Sequence, residues 1–123
     1  MKKRKIINIT LRIFVILILV GGYFILNSKG VPNTVEKIYQ DNFFLGSINE
    51  CMHNNNKVYV SELNIYDAGS SIYDRRGNQI GSCNYAFGPV DDLCTEVEDC
   101  ISVYTIENNI WGRPAVDKYR LNN

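Results

Sequence analysis

The chain has 123 residues, equal numbers of acidic and basic side chains and 46% hydrophobic residues. This length and composition allow one folded domain at most and exclude a disordered tail. The charge is uneven, because residues 1–12 contain five basic side chains and no acidic one, which leaves eight basic against thirteen acidic residues in the rest. Since an acidic domain is repelled by phosphate, we expect no nucleic acid as a partner.

An apolar run follows the basic end. Residues 13–26 carry no charge, and at about 1.5 Å per residue they cover about 21 Å of a hydrocarbon core about 30 Å thick. A span that begins near residue 6 reaches about 32 Å by the same rise. Because the basic residues precede the run, the positive-inside rule places the N-terminus in the cytoplasm. The sequence therefore predicts a signal-anchor that crosses the plasma (inner) membrane once.

The expected organisation has four parts: a basic cytoplasmic end (1–12), the apolar core of the transmembrane helix (13–26), a linker (27–33) and an extracytoplasmic α+β domain (34–123). A cleaved signal peptide fits the same segment, with Gly30 as the last residue of the site. Cleavage would give a secreted or periplasmic protein, with the same domain outside the cytoplasm. Frequent Asn, Ile and Lys beside a short basic start indicate a bacterial protein.

All four cysteines lie in the part expected outside the cytoplasm: Cys51, Cys83, Cys94 and Cys100. An even number of cysteines in an oxidising compartment predicts two disulfides, which stabilise a domain too small for a large core. Three pairings are open, and we favour Cys83–Cys94 with Cys51–Cys100. Zinc binding by Cys51 and His53 is the alternative, but the chain lacks a Cys-x-x-Cys pair. We expect no metal and no cofactor.

The predicted elements form an antiparallel sheet with two short helices, an α+β fold. Helical spacing, strand alternation and turn residues place them as a helix over 34–42, a polar turn over 54–56, a strand over 57–66, a hairpin over 71–80, a helix within 90–99, a strand over 100–106 and an extended tail over 110–119. The strands number three or four. No internal repeat is present.

The sequence offers little for catalysis. His53 is the only histidine, and Cys51 is more useful as a disulfide partner than as a nucleophile. The acidic residues of 91–99 lack the spacing of a calcium loop and suit a helix start with a solvated face. We therefore expect a protein that is not an enzyme.

Aromatic side chains beside glycine and proline are the remaining candidates for a binding surface. They are Tyr85, Phe87, Tyr104 and Trp111. A loop-borne aromatic patch can contact a partner, although aromatic residues in so small a domain often form the core. We expect a membrane-anchored, non-enzymatic envelope protein that binds another envelope protein or serves a structural role. An immunity or inhibitor protein against a toxin is the alternative, because small size, an anchor and an acidic domain suit it as well.

Overall fold

The computed structural model describes residues 13, 15–18, 31–41, 43–86 and 89–123. The chain divides into two compact units, Met1–Gly30 and Val31–Asn123. In the first unit, residues 13 and 15–18 are helical. Among the described residues, no helix has both the length and the hydropathy needed to cross a bilayer. The basic end at 1–12 and the remainder of the predicted apolar core at 13–26 lie outside the described residues, so the predicted span stays a prediction.

The second unit is built on a six-stranded antiparallel sheet. Its strand order is β4-β3-β2-β1-β5-β6. The elements in chain order are helix α1 (Asn33–Gln40), a 3-10 turn (Phe43–Leu45), β1 (Gly46–His53), β2 (Asn56–Leu63), β3 (Ser70–Tyr73), β4 (Gln79–Cys83), helix α2 (Leu93–Glu96), β5 (Glu98–Thr105) and β6 (Val116–Asp117). The antiparallel sheet with short helices was expected, but the predicted count of three or four strands is wrong.

The sequence analysis missed β1, the strand at the centre of the sheet. This strand pairs with β2 through the Asn54-Asn55 turn, whose two residues both have positive φ, as a tight hairpin requires. On its other side β1 pairs with β5. Its sequence, GSINECMH, lacks the run of β-branched residues that marks a strand. Ser47 and Glu50 are polar and yet buried. Hydrogen bonding to a strand on each side therefore stabilises β1 more than the strand propensity of its residues does.

The predicted hairpin over 71–80 is present as β3 and β4. The Asp74 carboxylate accepts backbone hydrogen bonds from Arg76 (2.8 Å) and Asn78 (2.9 Å), and Gly77 has a φ of +81°. The Asn78 side-chain and backbone bonds hold the pKa of Asp74 below its ordinary value. Helix α1 is attached to this turn, because the Thr34 hydroxyl donates to the Arg75 carbonyl at 2.6 Å.

The sheet has a buried cluster on each face. Alternation along β1 places Ile48 on the face covered by α1, where it packs with Val35 and Ile38, and Cys51 on the opposite face. On that second face, Cys51, Val58 and Ile72 are covered by the segment that includes Leu93 and Val97. The α1 cluster therefore forms the main core, and the second cluster is a thin layer beneath a short helix.

Both disulfides lie on the second face. One joins Cys51 of β1 to Cys100 of β5, and the other joins Cys83 of β4 to Cys94 of α2. This is the pairing favoured from the sequence. Because disulfides persist in oxidising compartments, the two bonds indicate a domain that is extracytoplasmic or secreted.

Removing either disulfide is expected to destabilise the domain by a different amount. The double variant Cys83→Ser/Cys94→Ser lowers the free energy of unfolding by about 3 kcal/mol, and Cys51→Ser/Cys100→Ser lowers it by about 4 kcal/mol, because the second bridge closes the longer loop. Urea unfolding of the full-length chain, followed by tryptophan fluorescence, measures both values. Stabilities equal to the wild type under non-reducing conditions would contradict the pairing.

Candidate functional site

The structure brings together two of the four aromatic residues proposed for a binding patch. Tyr85 is 72% exposed and lines a cavity of about 290 Å³ together with the partly exposed Trp111. Phe87 lies outside the described residues. Tyr104 does not belong to the surface, because it is 2% exposed and its hydroxyl donates to the Phe44 carbonyl at 2.7 Å. Tyr104 therefore does not line the cavity that Tyr85 and Trp111 share.

Tyr66, which the sequence analysis did not select, lines the same cavity and is 76% exposed. We call this cavity the aromatic groove and define it by the six large apolar side chains that line it: Leu63, Ile65, Tyr66, Tyr85, Ile110 and Trp111. The three aromatic rings come from three different loops. Such a cluster of accessible Tyr and Trp side chains is the composition found at interaction hot spots.

The direction of the strands explains why these loops meet. In an antiparallel sheet of this order, β2, β4 and β5 all run the same way, because each is separated from the next by one strand of opposite direction. The loops that follow them therefore leave from the same end of the sheet. These loops carry Tyr66, Tyr85 and Trp111, which lie far apart in the sequence.

Three asparagines hold these loops, and two of them link one loop to another. The Asn64 side chain accepts a hydrogen bond from the Ile110 backbone at 2.7 Å, which ties the loop after β2 to the loop after β5. The Asn84 amide donates to the Asp67 carbonyl at 3.4 Å, which ties the loop after β4 to the loop after β2. The aromatic side chains are thus carried by loops that are hydrogen-bonded to one another in the free chain.

The third asparagine fixes the loop that carries Trp111. Asn109 is 8% exposed, and its amide donates to the carbonyls of Ile106 and Arg113, each at 2.8 Å. Its side-chain oxygen accepts the Arg113 backbone N–H at 3.0 Å. One buried side chain therefore closes the turn on which Trp111 is displayed.

A sequence signal for this site does exist. Asn64-Ile65-Tyr66 and Asn109-Ile110-Trp111 share the pattern asparagine, isoleucine, aromatic, and Asn84 directly precedes Tyr85. In each case a side chain that favours turns precedes a large aromatic residue in a loop. The pattern could have identified the groove from the sequence, although the meeting of the three loops could not.

The wall of the groove carries charge of both signs. The Arg113 guanidinium lies 3.4 Å from the Glu62 carboxylate and 5.3 Å from the centre of the Trp111 ring. The Glu62 carboxylate also accepts a hydrogen bond from the Ser47 hydroxyl at 3.3 Å. Because the ion pair is partly exposed, it contributes orientation more than stability.

The candidates for catalysis and metal binding lie elsewhere. His53 pairs with Glu96 at 2.8 Å. Because the Cys51 sulfur is held in a disulfide, Cys51 offers neither a nucleophilic thiol nor a zinc ligand. Asp91, at the start of the acidic segment, accepts the Ser82 backbone N–H at 2.7 Å. Within the described ranges, no three His, Cys, Asp or Glu side chains are grouped so that they could hold a metal ion.

A second polar cluster surrounds Glu50 on the α1 face of the sheet. Glu50 is 8% exposed, and its carboxylate accepts hydrogen bonds from Lys57 at 2.7 Å and from the Tyr119 hydroxyl. Lys118 lies 3.6 Å away. Burial raises the pKa of Glu50, but the bonds from Lys57 and Tyr119 outweigh it and hold that pKa below 4.5. Burial and the bond to Glu50 together raise the pKa of Tyr119 to about 12. The cluster attaches the C-terminal segment to β1.

Replacing Asn109 should loosen the aromatic groove. Asn109→Ala leaves the Arg113 N–H and two carbonyls without their partner, which lowers the free energy of unfolding by about 1–3 kcal/mol. Trp111 is the only tryptophan, so its emission maximum and anisotropy report the mobility of the loop. The exposed Asn123→Ala variant is the control. A stability and a Trp111 anisotropy equal to those of the wild type would show that Asn109 does not hold the loop.

Acid should weaken the cluster around Glu50. The pKa of Glu50 is lower in the folded chain than its ordinary value of 4.5. The stabilisation by the ionised Glu50 is therefore fully present above the ordinary pKa and is lost as the pH falls through the pKa of the folded chain. Glu50→Gln therefore lowers the free energy of unfolding by about 1–3 kcal/mol at neutral pH. Its stability also falls less steeply below about pH 4.5 than that of the wild type. Urea unfolding between neutral pH and pH 3 measures this, with the exposed Glu107→Gln variant as the control. Parallel curves for Glu50→Gln and the wild type would contradict it.

Comparison of the chain with known protein families, with curated proteins and with solved structures gives no significant match. The functional interpretation rests on the geometry of the aromatic groove and on the compartment that the disulfides indicate.

Proposed function

We propose that this chain is a non-enzymatic binding protein of the bacterial cell envelope. Its disulfide-linked domain lies outside the plasma membrane, and the apolar segment at 13–26 holds it there as a single span with the N-terminus in the cytoplasm. The five basic residues of 1–12, the absence of charge in 13–26 and the two disulfides of the domain support this arrangement. If the segment is cleaved, the same domain is released and its binding surface is unchanged.

The observation that carries the binding function is the aromatic groove. Contiguous exposed apolar patches mark interaction sites, and here Tyr66 and Tyr85 are both more than 70% exposed and line one cavity. The loops beneath them are linked to one another by Asn64 and Asn84, and Asn109 closes the loop that carries Trp111. Cross-linked loops lose less conformational entropy when a ligand binds, which favours affinity.

The groove differs from an enzyme site in its side chains. Glu62 and Asp67 are the carboxylates that line it, and the single histidine lies at the opposite end of β1. Glu62 is already paired with Arg113. General acid–base catalysis requires a pair of free titratable groups that face a common cavity. These residues do not form such a pair.

Retention on cell envelopes tests the proposed function. The full-length chain in detergent micelles is mixed with envelope fragments from its host and sedimented. The double variant Tyr66→Ala/Trp111→Ala is expected to reduce the retained fraction at least about tenfold, because truncation of aromatic anchors removes most of the binding energy. Ile101→Ala is the matched control, since Ile101 is 65% exposed and does not line the groove. Equal retention of the double variant and the control would refute a binding role for the groove.

A further inference from the structure

The aromatic groove continues across the face of the sheet. A second cavity, of about 430 Å³, shares four lining residues with the first: Glu62, Ser70, Cys83 and Tyr85. It extends over β1, β3 and β5 between the segment that carries Cys94 and the loop that carries Arg113. Together the two cavities form one open trough.

The floor of this trough is mixed, because the apolar side chains of Val60, Ile72 and Val97 lie among polar ones. Asn49 of β1, Ser70 of β3 and Ser102 of β5 line it alongside Glu62. In the part of the chain that the structure describes, neither the Asn49 amide nor the Ser70 hydroxyl has a side-chain hydrogen-bond partner, whereas Ser102 lies 2.8 Å from the Thr105 hydroxyl. A partner that covered this floor with apolar side chains would leave the polar groups unpaired, which is costly. The floor therefore favours a ligand that has both apolar surface and hydroxyl or amide groups.

The rim of the trough is aromatic. Tyr66, Tyr85 and Trp111 present flat apolar surfaces at one end of the trough. A ligand that suits both parts needs a flat apolar face to pack on the rings and polar groups around its edge to reach the floor. A sugar ring has this form, because its axial C–H bonds form an apolar face and its hydroxyls project from the edge.

Charge restricts the class of sugar. Residues 13–123 contain thirteen acidic and eight basic side chains, and the trough itself contains the carboxylates of Glu62 and Asp67 against one guanidinium, that of Arg113. Arg113 is already engaged by Glu62 at 3.4 Å. An anionic polysaccharide would meet a repulsive field and no free cation in the trough.

We infer that the trough binds a neutral or amino-sugar glycan of the cell envelope, with sugar rings packed on Tyr66, Tyr85 and Trp111 and hydroxyl or amide groups bonded to Asn49 and Ser70. This inference rests on the proposed function, because it names the ligand class of the same groove. It makes the second face of the sheet the recognition surface and leaves the α1 face as the core.

Titration with soluble oligosaccharides tests the inference. The full-length chain in detergent micelles is titrated with the pentamer of N-acetylglucosamine, with cellopentaose and with the anionic pentamer of galacturonic acid. Trp111 emission reports occupancy of the trough. At least one neutral pentamer is expected to bind saturably with a Kd of about 1 mM or tighter, and the anionic pentamer at least about tenfold more weakly.

Single substitutions locate the binding. Tyr66→Ala removes a ring of the rim and Asn49→Ala removes a polar group of the floor, and each is expected to weaken the neutral pentamer about tenfold or more. Ile101→Ala should leave the affinity unchanged, because Ile101 lies in β5 but lines neither cavity of the trough. An affinity that is insensitive to Asn49→Ala would overturn the assignment of the floor.

The two proposals can fail separately. If no neutral pentamer binds, but the envelope retention depends on Tyr66 and is abolished by protease treatment of the envelopes, then the ligand is a protein. In that case the glycan inference is overturned and the binding function stands. Tighter binding of the anionic pentamer also overturns the inference. If neither pentamers nor envelopes are bound through the groove, both proposals are overturned.

Discussion

The rest of the domain depends on the pairing of β1 with two partners, β2 on one side and β5 on the other. This pairing is long-range for β5, which follows β1 by more than forty residues. The Cys51–Cys100 bond joins the same two strands, so the strand pairing that closes the longest loop of the sheet is also covalently held. Because β1 lies between them, β2 and β5 run in the same direction, and the loops that follow them leave from one end of the sheet.

That end of the sheet is where the aromatic groove lies, while the α1 face carries the main core. The division follows from the small size of the domain. One face of the sheet is covered by α1, and the other by little more than the segment around Leu93 and Val97. Because the layer on this second face is so thin, some of the side chains of that face remain accessible. The two disulfides stabilise the face where packing is sparse.

Sequence reasoning succeeded where a signal is local. The hairpin around Asp74 and Gly77, the helix near Val35 and Ile38 and the disulfide pairing were all expected and are present. It failed for β1, because Ser47, Asn49 and Glu50 are polar residues that only their neighbours convert into a buried strand. Tyr104 was misplaced for a related reason. Its ring packs against Tyr39 at 5.1 Å, a contact between residues more than sixty positions apart, which no local pattern reveals.

The sequence by itself determined the separation of a basic, apolar N-terminal segment from an acidic domain with four cysteines, because charge, hydropathy and cysteine number are properties of composition. It also contained the asparagine-to-aromatic pattern of the loops. Only the tertiary structure decided that Tyr66, Tyr85 and Trp111 share one groove and that Asn49 and Ser70 line the cavity that adjoins it. The physical reason is that strand order and direction, which no local pattern of residues encodes, decide which loops meet and which side chains face the same cavity.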